Sequence, residues 1–389
     1  MSATPLPLDG IRIVDFTQVY MGPCATQTLA DFGADVIKIE PPKIGDRMRW
    51  AIPGDRAGEQ GPIFCSINRN KRSIVLDMRT EPAKEAVRRM IATADVVANN
   101  FRAGVMERLG FGYDACAAIN PRIIYAVGTG YGTEGPYVNK GGQDALAQAM
   151  TGAVWRRSSA NAPMGVPTTT FADYCAGMHL AQGIMLALLQ RQKTGKGQQV
   201  SVSLHDSMIA AQMQEVAVSL MRGRELNWGN LPTNDVFETS DGAFVMIGGF
   251  SRQPMHDIGA VIGRPDLETD PRFATHELRV EHRETLHAIL REAFRGDTTA
   301  RWIARLEAQD LLCAPVRPLA AALEDPQVRI NDMILEEDAA WDRLKVAGSP
   351  VHLSDAPVRG MRRLPPRLGE HTEEILAELG LSSGAPVSS

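Results

Sequence analysis

Short apolar runs alternate with stretches of helical periodicity through the first third of the chain. Ile11–Phe16 reads as a strand, followed by a helix from about Pro23 to Phe32. Val36–Ile39 is a second strand, ending at Pro41-Pro42. After a long loop come a strand at Ser73–Leu76, a helix at Glu81–Thr93 and strands at Asp95–Ala98 and Ile123–Val127. Apolar strands separated by helices of about ten residues predict a parallel, doubly wound α/β sheet with ligands at the strand C-termini.

The pattern changes after about residue 145. Asp144–Thr151 and Tyr174–Thr194 read as helices, the second stopped by Gly195-Lys-Gly197. Gln198–Ser203 alternates like a strand, and His205–Arg222 is another helix. Phe237–Ile247, broken at Ser240-Asp241-Gly242, predicts a β-hairpin that opens a smaller α+β unit. That unit has helices near Glu281–Phe294 and Thr298–Gln309, and Cys313–Pro318 is a short return segment. The last sixty residues are proline-rich with one closing helix, Thr372–Leu379, and the tail Ser382–Ser389 reads as mobile. The expected domains are a large one over 1–222, a small α+β one over 223–325, and a return over 326–389 that completes the large one.

Composition narrows the function classes. A chain of 389 residues with 44% apolar and 22% charged residues suits a globular protein of one large and one smaller domain. A net charge of −5 gives no general attraction to nucleic acid or anionic membranes, so any phosphate site must be local. No apolar run is long enough to span a bilayer, and no apolar segment follows Met-Ser-Ala-Thr-Pro-Leu-Pro, so neither a membrane anchor nor a signal peptide is expected. The five cysteines (24, 65, 116, 175, 313) are widely spaced and suit a reduced, cytoplasmic protein without a disulfide framework or zinc site.

Several motifs bear on chemistry. Gly130-Tyr-Gly132-Thr-Glu-Gly135 fits the dinucleotide pattern, but Pro136 and Gly141-Gly142 prevent the helix that pattern needs, and no acid stands near position 150. These glycines are expected instead to form a loop whose backbone approaches a substrate. Gly22-Pro23 at a helix start offers free N–H groups at a strand C-terminus. Lys71, Arg72, Arg79 and Arg102 are expected on the ligand side of the sheet, where they would neutralise phosphates. His282 and His287 are five apart, and neither His-Glu-x-x-His nor Gly-x-Ser-x-Gly occurs, so no metal site or serine elbow is expected. Asp173, where a Thr-rich segment turns into a long helix, has two readings. It caps the helix through backbone N–H groups, or it is a nucleophile kept ionised by those groups and the helix dipole.

Five ordered segments together resemble the class III CoA-transferases (CaiB/BaiF type), which include formyl-CoA transferase and the α-methylacyl-CoA racemases. They are Leu8–Pro23, Asp31–Pro41 with Gly45-Asp46, Asn68–Asp77, Asn99–Gly104 and Asp173–Gln198. The resemblance implies an interlocked homodimer whose subunits each have a large Rossmann-like domain, built from both chain ends, and a smaller one. It implies an aspartate nucleophile, matching Asp173, that attacks an acyl-CoA thioester. Coenzyme A and acyl-CoA would be substrates, a small carboxylic acid the acceptor, and no tightly bound cofactor is implied. By matched position, CoA would contact Val19, Leu76, Arg79, Asn100, Phe101, Arg108 and Leu204, and the reacting groups would meet Gln18, Tyr20, Gly142 and Gln143.

The chain departs from relatives at informative places. Racemases of this fold need a histidine base in Gly-His-Asp, where this chain has Gly142-Gln143-Asp144, and an amide takes no proton near neutral pH. Transfer is therefore expected over racemisation; a non-catalytic acyl-CoA-binding protein is the third reading. Gln143 replaces the tyrosine of the formyl/oxalate enzyme, Pro41 its CoA-binding basic residue, and Gln18 a histidine found in some members. The four-glycine lid is missing, and Asn227–Asn234 is the nearest candidate. A small dicarboxylic or hydroxy acid is the expected acceptor, with succinyl-CoA or acetyl-CoA as donor.

Overall fold

The computed structural model describes residues 4–52, 61–157, 163–339, 342–356 and 360–381; the tail 382–389 lies outside the described residues. The chain divides into two compact units. One comprises Met1–Ala153, Val166–Gln212 and Pro326–Ser389, the other Val154–Gly165 and Met213–Asp325.

The first unit is built on six parallel strands, β1 (Arg12–Asp15), β2 (Asp35–Glu40), β3 (Lys71–Val75), β4 (Val96–Asn99), β5 (Ile124–Thr129) and β6 (Gln198–Ser203), in the order β3-β2-β1-β4-β5-β6. Successive side chains point to opposite faces, so the sheet separates two cores. Val14, Ile37, Ile74 and Val97 pack with helix α2 (Glu81–Thr93) on one face. Ile13, Val36, Val96 and Ile124 pack on the other with helix α1 (Met21–Asp31). The strand order reverses between β1 and β4. The loops leaving the C-terminal ends of those two strands therefore diverge and open a crevice, the usual ligand position in such sheets.

Helix α3 (Asp144–Met150) precedes the longest helix, α4 (Phe171–Thr194), and α5 (Leu204–Ala211) follows β6. Small residues on α4, among them Ala172, Ala176, Gly177 and Ala181, are buried and let it lie close to its neighbours. A Cβ at Gly177 would come within 2.7 Å of the Met21 carbonyl oxygen, so only glycine allows α4 to meet the first turn of α1 there. The helix starts three residues earlier than its apolar periodicity suggested, which puts Asp173 inside its first turn. The helix expected over His205–Arg222 is two helices, α5 and α6 (Met213–Arg222). The break comes at Gln212, whose buried amide donates to the carbonyls of Thr151 and Met208.

The second unit carries a three-stranded antiparallel sheet, β7 (Asn234–Glu238), β8 (Ala243–Ile247) and β9 (Leu312–Pro315), and helices α7 (Pro254–Ile262), α8 (Arg283–Phe294) and α9 (Thr299–Glu307). Its core is an aromatic cluster. The Phe294 ring lies 5.0 Å from Phe237, 4.9 Å from Phe244 and 5.2 Å from Trp302, mostly edge-on, the geometry that ring quadrupoles favour.

The segment after residue 325 returns to the first unit. The antiparallel hairpin of β10 (Ile334–Ala339) and β11 (Asp342–Ala347) was not legible in the sequence, because Glu336, Glu337 and Asp338 interrupt the apolar alternation that marks strands. The closing helix α10 (Thr372–Glu378) buries Ile375 and Leu376 in the α2 core. Among the described residues no helix is long and apolar enough to cross a membrane.

Phe294 is fully buried, so Phe294→Ala should cost about 3–5 kcal/mol of stability. Denaturant unfolding followed by tryptophan fluorescence checks this; a loss under about 1 kcal/mol would show that the aromatic cluster does not hold the second unit together.

Candidate active site

The β1–α1 connection, Thr17–Tyr20, has its backbone polar groups bound by side chains from elsewhere in the sheet. The Thr17 N–H donates to Asp15 Oδ1 at 2.9 Å, and the Thr17 carbonyl accepts from Lys38 Nζ at 2.8 Å. Asn100, just past β4, takes the Gln18 N–H at 2.8 Å and returns its own amide to the Gln18 carbonyl at 2.7 Å. Val19 donates to Asp46 Oδ1 at 3.2 Å, and the Tyr20 carbonyl accepts the Cys24 N–H at 2.9 Å. The Gln18–Asn100 pair ties together the loops after β1 and β4, the two strands between which the order reverses.

Beneath this loop lies a buried ionic network. Lys71 Nζ donates to Asp15 Oδ2, the Pro23 carbonyl, Thr26 Oγ1 and Asn68 Oδ1 at 2.8–3.2 Å. Lys38 pairs with Asp46 at 2.9 Å, and Arg49 with Glu40 at 2.7 Å. Burial alone would raise Asp15, but Lys71, Lys38 and the Thr17 and Thr26 hydroxyls outweigh it and hold the carboxyl below its ordinary range.

Asp173 stands at the third position of α4. It is not the cap: Thr170 occupies that place without a side-chain hydrogen bond, and the Asp173 N–H donates to Asp144 Oδ1 at 3.0 Å. Asp144 thus caps α4 from the start of α3. It is held by Gln148, whose Nε2 donates to Asp144 Oδ2 at 2.7 Å and to the Thr169 carbonyl at 3.0 Å. Among the described residues nothing donates to the Asp173 carboxylate. Burial, and then the Asp144 charge, push its pKa up to about 7. The N–H groups expected to help keep Asp173 ionised do not reach its carboxylate among the described residues, and burial and the Asp144 charge act against the anion. Burial, with Cys24 and then Asp173 among its neighbours, pushes Tyr20 up to about 12, so the phenol keeps its proton at neutral pH.

A pair of glycines delivers Asp144. A Cβ on Gly130 would lie 2.5 Å from the Gly142 Cα, and one on Gly142 2.3 Å from the Gly130 Cα. The end of β5 and the start of α3 thus cross backbone to backbone.

The other expected site residues all fall in the first unit, beyond the C-terminal ends of its strands. Gln18, Val19 and Tyr20 follow β1, Leu76 and Arg79 follow β3, Asn100, Phe101 and Arg108 follow β4, Gly142 and Gln143 follow β5, and Leu204 follows β6. Leu76 and Leu204 are core residues, and Phe101 leans on the α2 core. Arg79 is exposed and paired with Asp77 at 2.7 Å, whereas Arg108 has no ion pair among the described residues. The expectation for Lys71 and Arg72 is overturned. They begin β3 rather than end it; Lys71 is buried in the network, and Arg72 binds Asp35, Glu374 and Glu378 at the opposite edge. Asp144 was quoted in its motif but not recognised as a site residue, since nothing local marks an acid that caps a helix 27 positions away in sequence.

In the second unit, Asn227–Asn234 contains a helical turn, Trp228–Asn230, and is tied down by Arg283 Nη2 on the Gly229 carbonyl at 3.0 Å and His287 Nε2 on the Pro232 carbonyl at 2.9 Å. With Val236 and Phe250, Trp228 and Leu231 line a cavity of about 470 Å³. Among the described residues no group of His, Cys, Asp or Glu could hold a metal ion.

The chain resembles known proteins along most of its length. Residues 8–372 match the model of CoA-transferase family III. The chain is 32% identical to succinyl-CoA:glutarate CoA-transferase of Homo sapiens, over 96% of this chain and 86% of the relative. It is 35% identical to acetyl-CoA:oxalate CoA-transferase of Acetobacter aceti, over 96% and 95%. Its fold superposes on a CaiB/BaiF family protein from Brucella suis with a TM-score of 0.86 at 32% identity, covering 97% of this chain and all of that one.

The raised Asp173 pKa has a direct test. In a 13C NMR titration of the aspartate carboxyls, assigned with Asp173→Asn, the Asp173 resonance should titrate near pH 7, with the carboxylate gaining as pH rises. Asp144→Asn keeps the acceptor for the Asp173 N–H but removes the repelling charge, so the midpoint should fall; because burial is the larger cause, it should stay above the ordinary aspartate range. A midpoint unmoved by Asp144→Asn would contradict the coupling.

Proposed function

Because the chain belongs to CoA-transferase family III and is a CoA-transferase enzyme, we propose that it moves CoA from an acyl-CoA donor to a small carboxylic acid through covalent intermediates on Asp173. The observation that carries this reading is the Asp173 carboxylate itself. It is half-buried, unbonded by any described donor, and held at a helix start beside the crevice of the sheet.

A carboxylate oxygen of Asp173 attacks the thioester carbon, and collapse of the tetrahedral adduct expels CoA thiolate and leaves a mixed anhydride. The thiolate attacks the aspartyl carbonyl, releasing the donor acid and forming an aspartyl-CoA thioester. The acceptor carboxylate then displaces CoA from that thioester, making a second anhydride, and the thiolate takes the acceptor acyl group. Asp173 is restored, and each step exchanges one acyl bond for another. The Tyr20 hydroxyl and the side-chain amides of Gln18 and Gln143 make no hydrogen bond among the described residues, which supports them as donors to the substrate or to the oxyanions. Arg108 supports a CoA phosphate contact on the same ground.

Relatives that exchange succinyl-CoA with glutarate and acetyl-CoA with oxalate support a small dicarboxylic acid as acceptor and succinyl-CoA or acetyl-CoA as donor. CoA thioesters enter as substrates, with no bound cofactor invoked. The working form in this reading is an interlocked homodimer, its large domain built from 1–222 and 326–389 and its small domain from 223–325. All five cysteines are free thiols, which suits a reducing cytoplasm.

Intact mass after mixing with succinyl-CoA or acetyl-CoA should show a CoA-sized adduct that hydroxylamine removes, and Asp173→Ala should show none and lose exchange by at least about 10³-fold. Full exchange by Asp173→Ala would sink the mechanism. Exchange should also rise with pH through about 7 as Asp173 ionises. Light scattering should give twice the 42.3 kDa chain mass; a monomer would exclude the interlocked form.

A further inference from the structure

Val19 adopts a backbone conformation that its residue type resists. Its φ is 71°, in the left-handed region, where a β-branched residue stays only when its surroundings force it. The forcing groups are Asp46 and Lys38, both fully buried. Asp46 Oδ1 accepts the Val19 N–H at 3.2 Å and the Met48 N–H at 3.0 Å, while Lys38 Nζ sits 2.9 Å from Asp46 Oδ2 and donates to the Thr17 carbonyl at 2.8 Å. The Asp46 N–H is fixed in turn by Glu40 Oε2 at 2.9 Å. Neither side chain reaches solvent, so neither can touch a substrate. A buried ion pair is also a weak source of stability compared with apolar packing. Besides the Met48 N–H and the Thr17 carbonyl, what this pair serves is the strained Val19 amide, to which Asp46 supplies the acceptor.

We propose that the buried Lys38–Asp46 pair is a positioning latch for acyl transfer, holding Val19 left-handed and so setting the direction in which Gln18 and Tyr20 face the acyl group on Asp173. The latch rests on the reading of Asp173 as nucleophile. The close packing of α4 on the first turn of α1 at Gly177 sets the residue after Tyr20 against the helix that carries Asp173, so the orientation of this loop matters to Asp173.

The test compares two double variants. Lys38→Met/Asp46→Asn removes both charges and keeps the acceptor for Val19; Lys38→Met/Asp46→Leu removes the acceptor as well. In kcat at saturating acyl-CoA, the Asn pair should stay within about threefold of the unaltered enzyme and the Leu pair should fall by about tenfold or more. Adding Val19→Gly to the Leu pair should recover most of that loss, because glycine enters the left-handed region without steric cost. KM is read separately, since Val19 is itself an expected CoA contact. Equal kcat in the two pairs, or no recovery with Val19→Gly, would make the ion pair merely structural and overturn the latch. Should the Leu pair not fold, Val19→Pro tests the same point with the buried pair intact. It removes the N–H and fixes φ near −65°, so kcat should drop by about tenfold or more, and a retained kcat refutes the latch. Asp173→Ala, assayed alongside, separates the failures: exchange surviving in it refutes the nucleophile, whereas exchange lost there but kept in the Leu pair or in Val19→Pro refutes the latch alone.

Discussion

Three carboxylates and three cations, Asp15, Glu40, Asp46, Lys38, Arg49 and Lys71, are buried together beneath the loop that leaves β1. Charges without solvent persist only when each is paired and hydrogen-bonded. Here the pairing draws on β1, β2, β3 and the loops at residues 46–49 and 68, so these segments are locked to one another. Arg49 extends the lock to the far end of the chain, since its guanidinium also donates to the Pro366 carbonyl and lies 3.6 Å from the Phe64 ring. Removing one member alone would leave its partner charged and unsolvated, so the members of each pair depend on one another. That cooperativity gives the crevice a rigid floor.

On that floor Asp173 carries a tension that suits its proposed role. A nucleophilic carboxylate must be ionised, yet a strongly stabilised carboxylate attacks poorly. Burial and the neighbouring Asp144 raise its energy as an anion, while the cap that Asp144 provides keeps its backbone still. One residue thus both destabilises the charge and fixes its position. Tyr20, whose phenol burial holds well above neutral, stays protonated and would complete the balance as the proposed donor.

Much of this was legible in the chain. The parallel sheet was readable because strands buried on both faces must be short, apolar runs, and the helices between them keep their own period. Asp173 was readable as an exceptional carboxylate, although the capping of its helix by Asp144 was not. A cap depends on where the helix starts, and periodicity places starts only to within a few residues. The basic residues misled in one respect. Arg72 stands second in β3 and binds Asp35, Glu374 and Glu378, while Arg79 follows the strand's C-terminal end. Sequence distance from a strand does not say at which end a residue lies when the strand boundary is uncertain.

The sequence by itself determined the class of fold and the family, and it singled out Asp173 as the aspartate proposed to carry the chemistry. These follow from local patterns, hydrophobic period and motif order, that need no knowledge of distant neighbours. Only the tertiary structure decided that Asp144 caps α4, that Lys38 and Asp46 hold Val19 in a strained turn, and that Lys71 is a core cation rather than a phosphate ligand. Each of those depends on a pairing between residues 21 to 56 positions apart. Electrostatic partners are chosen by proximity in a low-dielectric interior, which the fold creates and no local pattern encodes.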